Sequence, residues 1–163
     1  MCSSDLEKKI INSLIQIGAN DGISHDHLHN IIKKYSLESL LLEPIEKYFF
    51  DLKNNYSNYK NVRIENSALS VNNEILFLHK VNPKYFNKYG TLSSGISSFY
   101  KDHLVKHGIK EKVNQISFNE LLIKYSINSF DLLLIDTEGY DCRIVNDFFL
   151  KIKEIRPDRK STR

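Results

Sequence analysis

The chain reads as an α/β domain built on a mostly parallel, doubly wound sheet, and two observations point there. The first is the stretch Leu14-Ile15-Gln16-Ile17-Gly18-Ala19-Asn20-Asp21-Gly22. Apolar, partly β-branched residues, of the kind that fill a strand buried on both faces, give way to small residues and glycines. Leu28, Ile31, Ile32 and Tyr35 then follow at helical spacing. Strand, glycine turn, helix is the opening unit of a doubly wound domain. The second observation is that apolar runs recur and end in an acid: Leu40-Leu41-Leu42-Glu43, and Phe130-Asp131-Leu132-Leu133-Leu134-Ile135-Asp136. The carboxyl ends of parallel strands share one edge, so Asp21, Glu43 and Asp136 converge on one crevice, where such folds bind ligands.

The remaining elements follow in order. Residues 7–12 are too short to classify. Pro44 suits the first position of a helix, and Ile45, Tyr48, Phe49, Leu52 and Tyr56 mark one face of it. Val62-Arg63-Ile64-Glu65-Asn66 alternates and leads into Ser67-Ala68-Leu69-Ser70, a third strand with its exit loop. An Asn72-Asn73 turn precedes a strand over Glu74-Ile75-Leu76-Phe77-Leu78. Residues 80–98, rich in Asn, Tyr, Gly and Ser, read as a long loop, and long loops in compact domains often carry function. A short helix with Phe99, Tyr100, Leu104 and Val105 stops at Gly108, and Val113-Asn114-Gln115-Ile116 is a short strand. Ser117 and Glu120 have the spacing of a capping box for a helix carrying Leu121, Leu122 and Tyr125. The run at 130–136 is the clearest buried strand, and Ile144, Val145, Phe148, Phe149 and Ile152 line the last helix.

Composition narrows the class. The 163 residues suit one domain, and a net charge of +3 without basic runs interleaved with aromatics argues against nucleic acid as a partner. No apolar run approaches the roughly 20 residues of a membrane span, and no signal peptide is visible. The first six residues, Met1-Cys2-Ser3-Ser4-Asp5-Leu6, and the last six, Asp158-Arg159-Lys160-Ser161-Thr162-Arg163, match translations of a common short-read library adapter and its reverse complement. They are expected to be read-through, with the natural chain continuing past both, so the domain is taken as 7–157 and incomplete at its C-terminus. Cys142 is then the one credible cysteine, which excludes a disulfide framework and fits a reducing, cytoplasmic setting.

The glycine turn limits the ligand. A dinucleotide site wants G-x-G-x-x-G, whereas this turn is G-A-N-D-G. Asp21 would repel a pyrophosphate, so a cationic or zwitterionic ligand is expected there. S-adenosylmethionine, with its ammonium and sulfonium, fits. Gly18 and Gly22 can adopt φ > 0 and, lacking Cβ, let a ligand lie against the backbone. Glu43 stands where a ribose is held, and its two oxygens can accept from both hydroxyls of a diol. Capping the helix beside Pro44 is its alternative role. Asp136-Thr137-Glu138-Gly139 offers two carboxylates that can orient an acceptor hydroxyl or act as base. They could otherwise hold a divalent cation or cap the helix after Gly139. His25, His27 and His29 alternate in a loop entering a helix and do not aim at one metal, so a solvent-facing or substrate-loop role is preferred. Cys142 is read as a buried small residue, and Ser94, Ser97 and Ser98 as loop and cap residues.

The ordered set I-Q-I-G-A-N-D-G, L-L-L-E-P, N-S-A-L-S, G-I-S-S-F and L-L-L-I-D-T-E-G-Y resembles the FkbM family of S-adenosylmethionine-dependent methyltransferases, over residues 14 to about 157. The resemblance implies a Rossmann-like class I methyltransferase fold with strand order 3-2-1-4-5-7-6. It implies methyl transfer to oxygen, often a hydroxyl on a sugar, glycan or natural product. Gly18, Ala19, Asn20 and Gly22 would line the methionine end, Glu43 would hold the ribose, and Ser67 and Ala68 would lie by the adenine. Asp136 and Glu138 would face the transferred methyl or the acceptor, with no metal. The strand at 130–136 would be the fourth. A fifth would begin near Arg156-Pro157, and its absence would leave Leu132, Leu133, Leu134 and Ile135 on an open edge. The alternatives are a non-catalytic S-adenosylmethionine-binding module and an NAD-type Rossmann enzyme, the latter disfavoured by the missing third glycine.

Overall fold

The computed structural model describes residues 11–24, 26, 28–71, 77–89, 97–98, 108–137 and 139–155. In chain order the elements are β1 (Ser13–Ile17), α1 (Leu28–Tyr35), β2 (Glu38–Leu42), α2 (Glu46–Asn55), β3 (Val62–Glu65), β4 (Ala68–Ser70) and β5 (Phe77–Val81). A single 3-10 turn (Pro83–Tyr85) follows, then α3 (Phe86–Tyr89), β6 (Ser97–Ser98), β7 (Gly108–Lys112), β8 (Gln115–Ser117), α4 (Phe118–Lys124), β9 (Leu132–Ile135) and α5 (Asp141–Ile155).

The central sheet is wholly parallel, in the order β3-β2-β1-β9. These four strands follow the expected order 3-2-1-4. Strand alternation divides the core between two faces. Leu14 and Leu41, with Val62, Ile64 and Leu132, pack against Ile32 of α1 and Leu52 of α2. Ile15, Ile17, Leu40 and Leu42, with Leu133 and Ile135, pack against Phe118 and Leu121 of α4 and Ile144 of α5. Helices thus cover both faces, and β1 and β2, in the middle, are buried almost throughout. Truncating one of these leucines to alanine would cost about 2–5 kcal/mol. At the amino edge the Asp131 carboxylate accepts from the Asn12 and Ser13 N–H groups and the Ser13 hydroxyl, at 2.9, 3.0 and 3.1 Å, fixing β9 beside the start of β1.

Beside this sheet β4 pairs parallel with β8, and β5 pairs antiparallel with β6 and β7. Leu78, Val113, Ala68 and Ile45 form a small apolar cluster that joins these strands to the segment entering α2.

Several elements differ from the sequence expectations. In α1 the buried residue is Ile32, while Ile31 and Tyr35 are exposed. Helix α2 begins at Glu46 with Ile45 as its cap, so Pro44 precedes the helix, because a tight turn at Glu43-Pro44-Ile45 comes first. Ala68–Ser70 is a strand, since its backbone finds β8. Strand β5 starts at Phe77; residues 72–76, including the Asn72-Asn73 turn, lie outside the described residues. The segment 80–98, read as loop, holds the end of β5, the 3-10 turn, α3 and β6. The helix expected over 99–105 lies outside the described residues, and Gly108 opens a strand. Strand β9 is not buried on both faces: Leu134 is 36% exposed, because the helices packed on Leu132 do not reach across it. Among the described residues no strand pairs with the outer edge of β9. The capping box at Ser117 and Glu120 is present as expected.

Candidate active site

The carboxyl edge of the parallel sheet gathers most of the expected residues. Gly18 follows β1, Glu43 follows β2 and Asp136 follows β9, and the register Leu42↔Ile17↔Ile135 sets all three level. With neighbouring strands about 4.8 Å apart, the Glu43 and Asp136 backbones stand about 10 Å apart, with the glycine turn between them.

The turn is held by backbone geometry. Gly18 (φ +84°), Asn20 (φ +51°) and Gly22 (φ +70°) are all left-handed. The Gly18 and Ala19 N–H groups both donate to the Leu42 carbonyl, at 3.0 and 2.9 Å. On the side where a Cβ would stand, both glycines face the protein itself. A Cβ on Gly18 would lie 1.9 Å from the Asp136 carbonyl oxygen, and one on Gly22 2.4 Å from Leu52 Cδ1. These glycines let β9 and α2 close on the turn. Ala19 is buried in the apolar cluster with Ile32 and Leu52. The Asp21 carboxylate accepts from the Ile23 and Ser24 N–H groups and the Ser24 hydroxyl, so it shapes the descent toward α1.

Glu43 is the centre of the edge. It is 5% exposed, and each oxygen accepts one backbone N–H at 2.8 Å: Oε2 from Asn20, Oε1 from Ile45. Burial pushes its pKa up to about 7, against the opposing pull of those two N–H groups. The helix-entry role and a place beside the glycine turn are therefore combined in one side chain.

Asp136 is exposed, and its carboxylate accepts no hydrogen bond among the described residues; its N–H donates to the Ile17 carbonyl at 2.9 Å. Glu138 lies outside the described residues. Ser67 and Ala68 are buried. The Ser67 hydroxyl donates to Glu65 Oε1 at 2.7 Å, and the Ala68 N–H donates to the Asn114 carbonyl at 2.8 Å. Both belong to the start of β4, off the line of Gly18, Glu43 and Asp136. A cavity of about 290 Å³ opens at the opposite, amino edge between Glu38, Arg63 and the 126–130 turn; none of the acids of the carboxyl edge lines it.

A family model of the methyltransferase FkbM domain matches residues 16–158. The chain belongs to this family. No curated protein and no solved structure matches it. The FkbM domain makes the chain a methyltransferase by family, and the match takes in every site residue named above.

Within this FkbM domain two polar networks escaped the sequence reading. Asp141, at the start of α5, accepts from the Thr137 and Gly139 N–H groups at 2.9 and 3.0 Å and from the Thr137 hydroxyl at 3.1 Å. Burial opposes its ionisation, but these donors outweigh it and hold the carboxyl below the usual range. Asp141 thus orders the loop that carries Asp136, and the signal was its place in the first turn of a helix. Glu65, at the end of β3, accepts from the Ser67 hydroxyl on one oxygen and from Lys124 Nζ (2.6 Å) and the Tyr125 hydroxyl (2.7 Å) on the other. Burial works against its charge too, yet these partners keep it ionised below the ordinary value. An acid closing a strand was the available signal; Lys124 and Tyr125 lie 59 and 60 residues on, beyond any local pattern.

The histidines and cysteine also resolve in part. His29 is half-buried and packs edge-on against Tyr56, with Nδ1 buried; His25 and His27 lie outside the described residues. Cys142 is exposed, not buried, because the helix turns it away from Ile144 and the core. Among the described residues no group of His, Cys, Asp and Glu has the arrangement of a metal site. No helix there is long and apolar enough to cross a membrane.

Proposed function

We propose that the domain is an S-adenosylmethionine-dependent O-methyltransferase in a Rossmann-like arrangement, acting on a hydroxyl of a sugar, glycan or natural product in a reducing, cytoplasmic setting. The observation that carries the reading is the level placing of Glu43 and Asp136 on either side of the glycine turn. The order β3-β2-β1-β9 and the family membership support it.

The residues fit the cofactor. Each Glu43 oxygen has accepted one N–H and keeps a lone pair for a ribose hydroxyl. Because a buried Glu43 is held near neutrality, two hydroxyl donors would return it to the ionised form and supply what its burial withholds. S-adenosylmethionine supplies an electrophilic methyl on sulfur when bound. Asp136, exposed on the far side of the turn, accepts the proton of an acceptor hydroxyl or aligns that oxygen for in-line attack. Thr137, Gly139 and Asp141 keep this loop in one conformation.

Calorimetric titration with S-adenosylmethionine, S-adenosylhomocysteine and NAD tests the reading. Binding of the first two and not the third is expected, with Glu43→Ala weakening it by about 1.5–3 kcal/mol. Binding of NAD alone would overturn it. Transfer of a labelled methyl to members of a panel of sugars and glycosides tests turnover. Cofactor binding with no transfer to any of them would favour a binding module.

A further inference from the structure

The turns of the carboxyl edge are tied together by one line of side-chain bonds. Asn114 Nδ2, before β8, donates to the Asn66 carbonyl at 3.4 Å. Asn66 Nδ2, between β3 and β4, donates to the Glu43 carbonyl at 2.9 Å and to the Pro44 carbonyl at 3.3 Å. Glu43 Oε2 then accepts from the Asn20 N–H at 2.8 Å. The line runs across the edge from the approach to β8, past β3 and β2, to the glycine turn after β1.

Its middle link does specific work. The Glu43 carboxylate takes the Ile45 N–H across Pro44, a tight turn whose Glu43 and Pro44 carbonyls both accept from Asn66. Proline brings no N–H of its own to help hold the turn. One side-chain amide group, from Asn66, takes both carbonyls. The donor requirement fixes which end of the amide faces them, and an aspartate of the same shape would set a carboxylate against two carbonyl oxygens.

We infer that Asn66 is a positioning residue of the cofactor site: by clasping the Glu43-Pro44 backbone it holds the Glu43 carboxylate on the Asn20 N–H, in place to receive a ribose. The ligand part rests on the proposed function; the clasp itself does not.

Two measurements on the full chain test it. The first is amide hydrogen exchange without ligand. In Asn66→Ala, protection at Asn20 and Ile45 falls tenfold or more, while Ile15 and Leu41 in the β1–β2 ladder keep theirs. Unchanged protection at Asn20, or an equal fall at all four amides, would overturn the clasp. Asn66→Asp, with the same loss expected, takes its place if the alanine variant does not fold. The second is a double-mutant cycle on S-adenosylhomocysteine affinity. Asn66→Ala costs tenfold or more in the native background and less than twofold in Glu43→Ala. Equal losses in both backgrounds would show that Asn66 does not act through Glu43. Failure of the native chain to bind S-adenosylhomocysteine would refute the proposed function and the cofactor part of this inference, while the exchange result would still decide the clasp.

Discussion

Glu43→Gln should remove a pH dependence that the native fold carries. The carboxyl titrates at 4.5 when exposed and at about 7 in its buried place. Between those values the folded state holds a proton that the unfolded state has released, so stability falls as pH rises. The contribution is complete below pH 4.5 and lost above about 7. A rise of this size corresponds to about 3 kcal/mol between the limits. Glutamine keeps the shape and stays neutral, but it offers one oxygen where two N–H groups need acceptors, which costs about 1–3 kcal/mol at every pH. The informative quantity is therefore the slope and not the absolute stability. Urea unfolding at intervals from pH 5 to 8 should show the native chain losing about 2.5 kcal/mol more than Glu43→Gln across the range. Every other ionisable group is common to both proteins and cancels in the difference. Parallel curves would refute the argument. A ligand that donates hydroxyls to Glu43 should also displace a proton at pH 6, measurable by calorimetry in buffers of different ionisation enthalpy.

Gly18→Ala should destabilise by at least 3 kcal/mol, since its Cβ would meet the Asp136 carbonyl at 1.9 Å in a left-handed conformation; denaturant midpoints measure this, and a loss below 1 kcal/mol would contradict the packing. Asp136→Asn should lower turnover with cofactor affinity nearly intact; unchanged turnover with collapsed binding would move Asp136 to the cofactor site. Glu65→Gln should lose about 1–3 kcal/mol at pH 7 and less in acid. The native Glu65 contribution is present above its ordinary 4.5 and fades as pH falls through its lowered folded value, so the two stabilities are expected to converge as pH falls below 4.5. Ser117→Ala should cost about 1 kcal/mol through loss of the α4 cap, read from the thermal midpoint.

The central sheet and the acids at its carboxyl edge were legible because both are written locally. Leu40-Leu41-Leu42-Glu43 declares a buried strand and the acid at its end, and Ser117 and Glu120 declare a helix start three residues apart. The side strands were not. Gly108–Lys112 has one apolar residue, Ile109, and becomes a strand because β5 supplies its backbone partners. The glycines were legible for their conformation but not for their neighbours, since nothing near Gly18 in sequence announces the Asp136 carbonyl. Asn66 and Lys124 act only through partners that the fold brings from 22 to 59 residues away. Spacing rules carry no information at that range.

The place of β1 has a consequence for the order of events during synthesis. Among the described strands it is made first, yet one of its two neighbours is β9, and Ser13 meets Asp131 across 118 residues. At ribosomal speeds of 5–20 residues per second, roughly 6–24 s pass between the emergence of these partners. Throughout that interval Leu14–Ile17 can pair only with β2, and its other side stands open to solvent and to other nascent chains. Long-range parallel pairing of this kind closes slowly even after release. Among the described strands, the one that organises the domain is thus also the one exposed longest, and a chaperone that shields apolar segments would raise the yield of folded protein through β1.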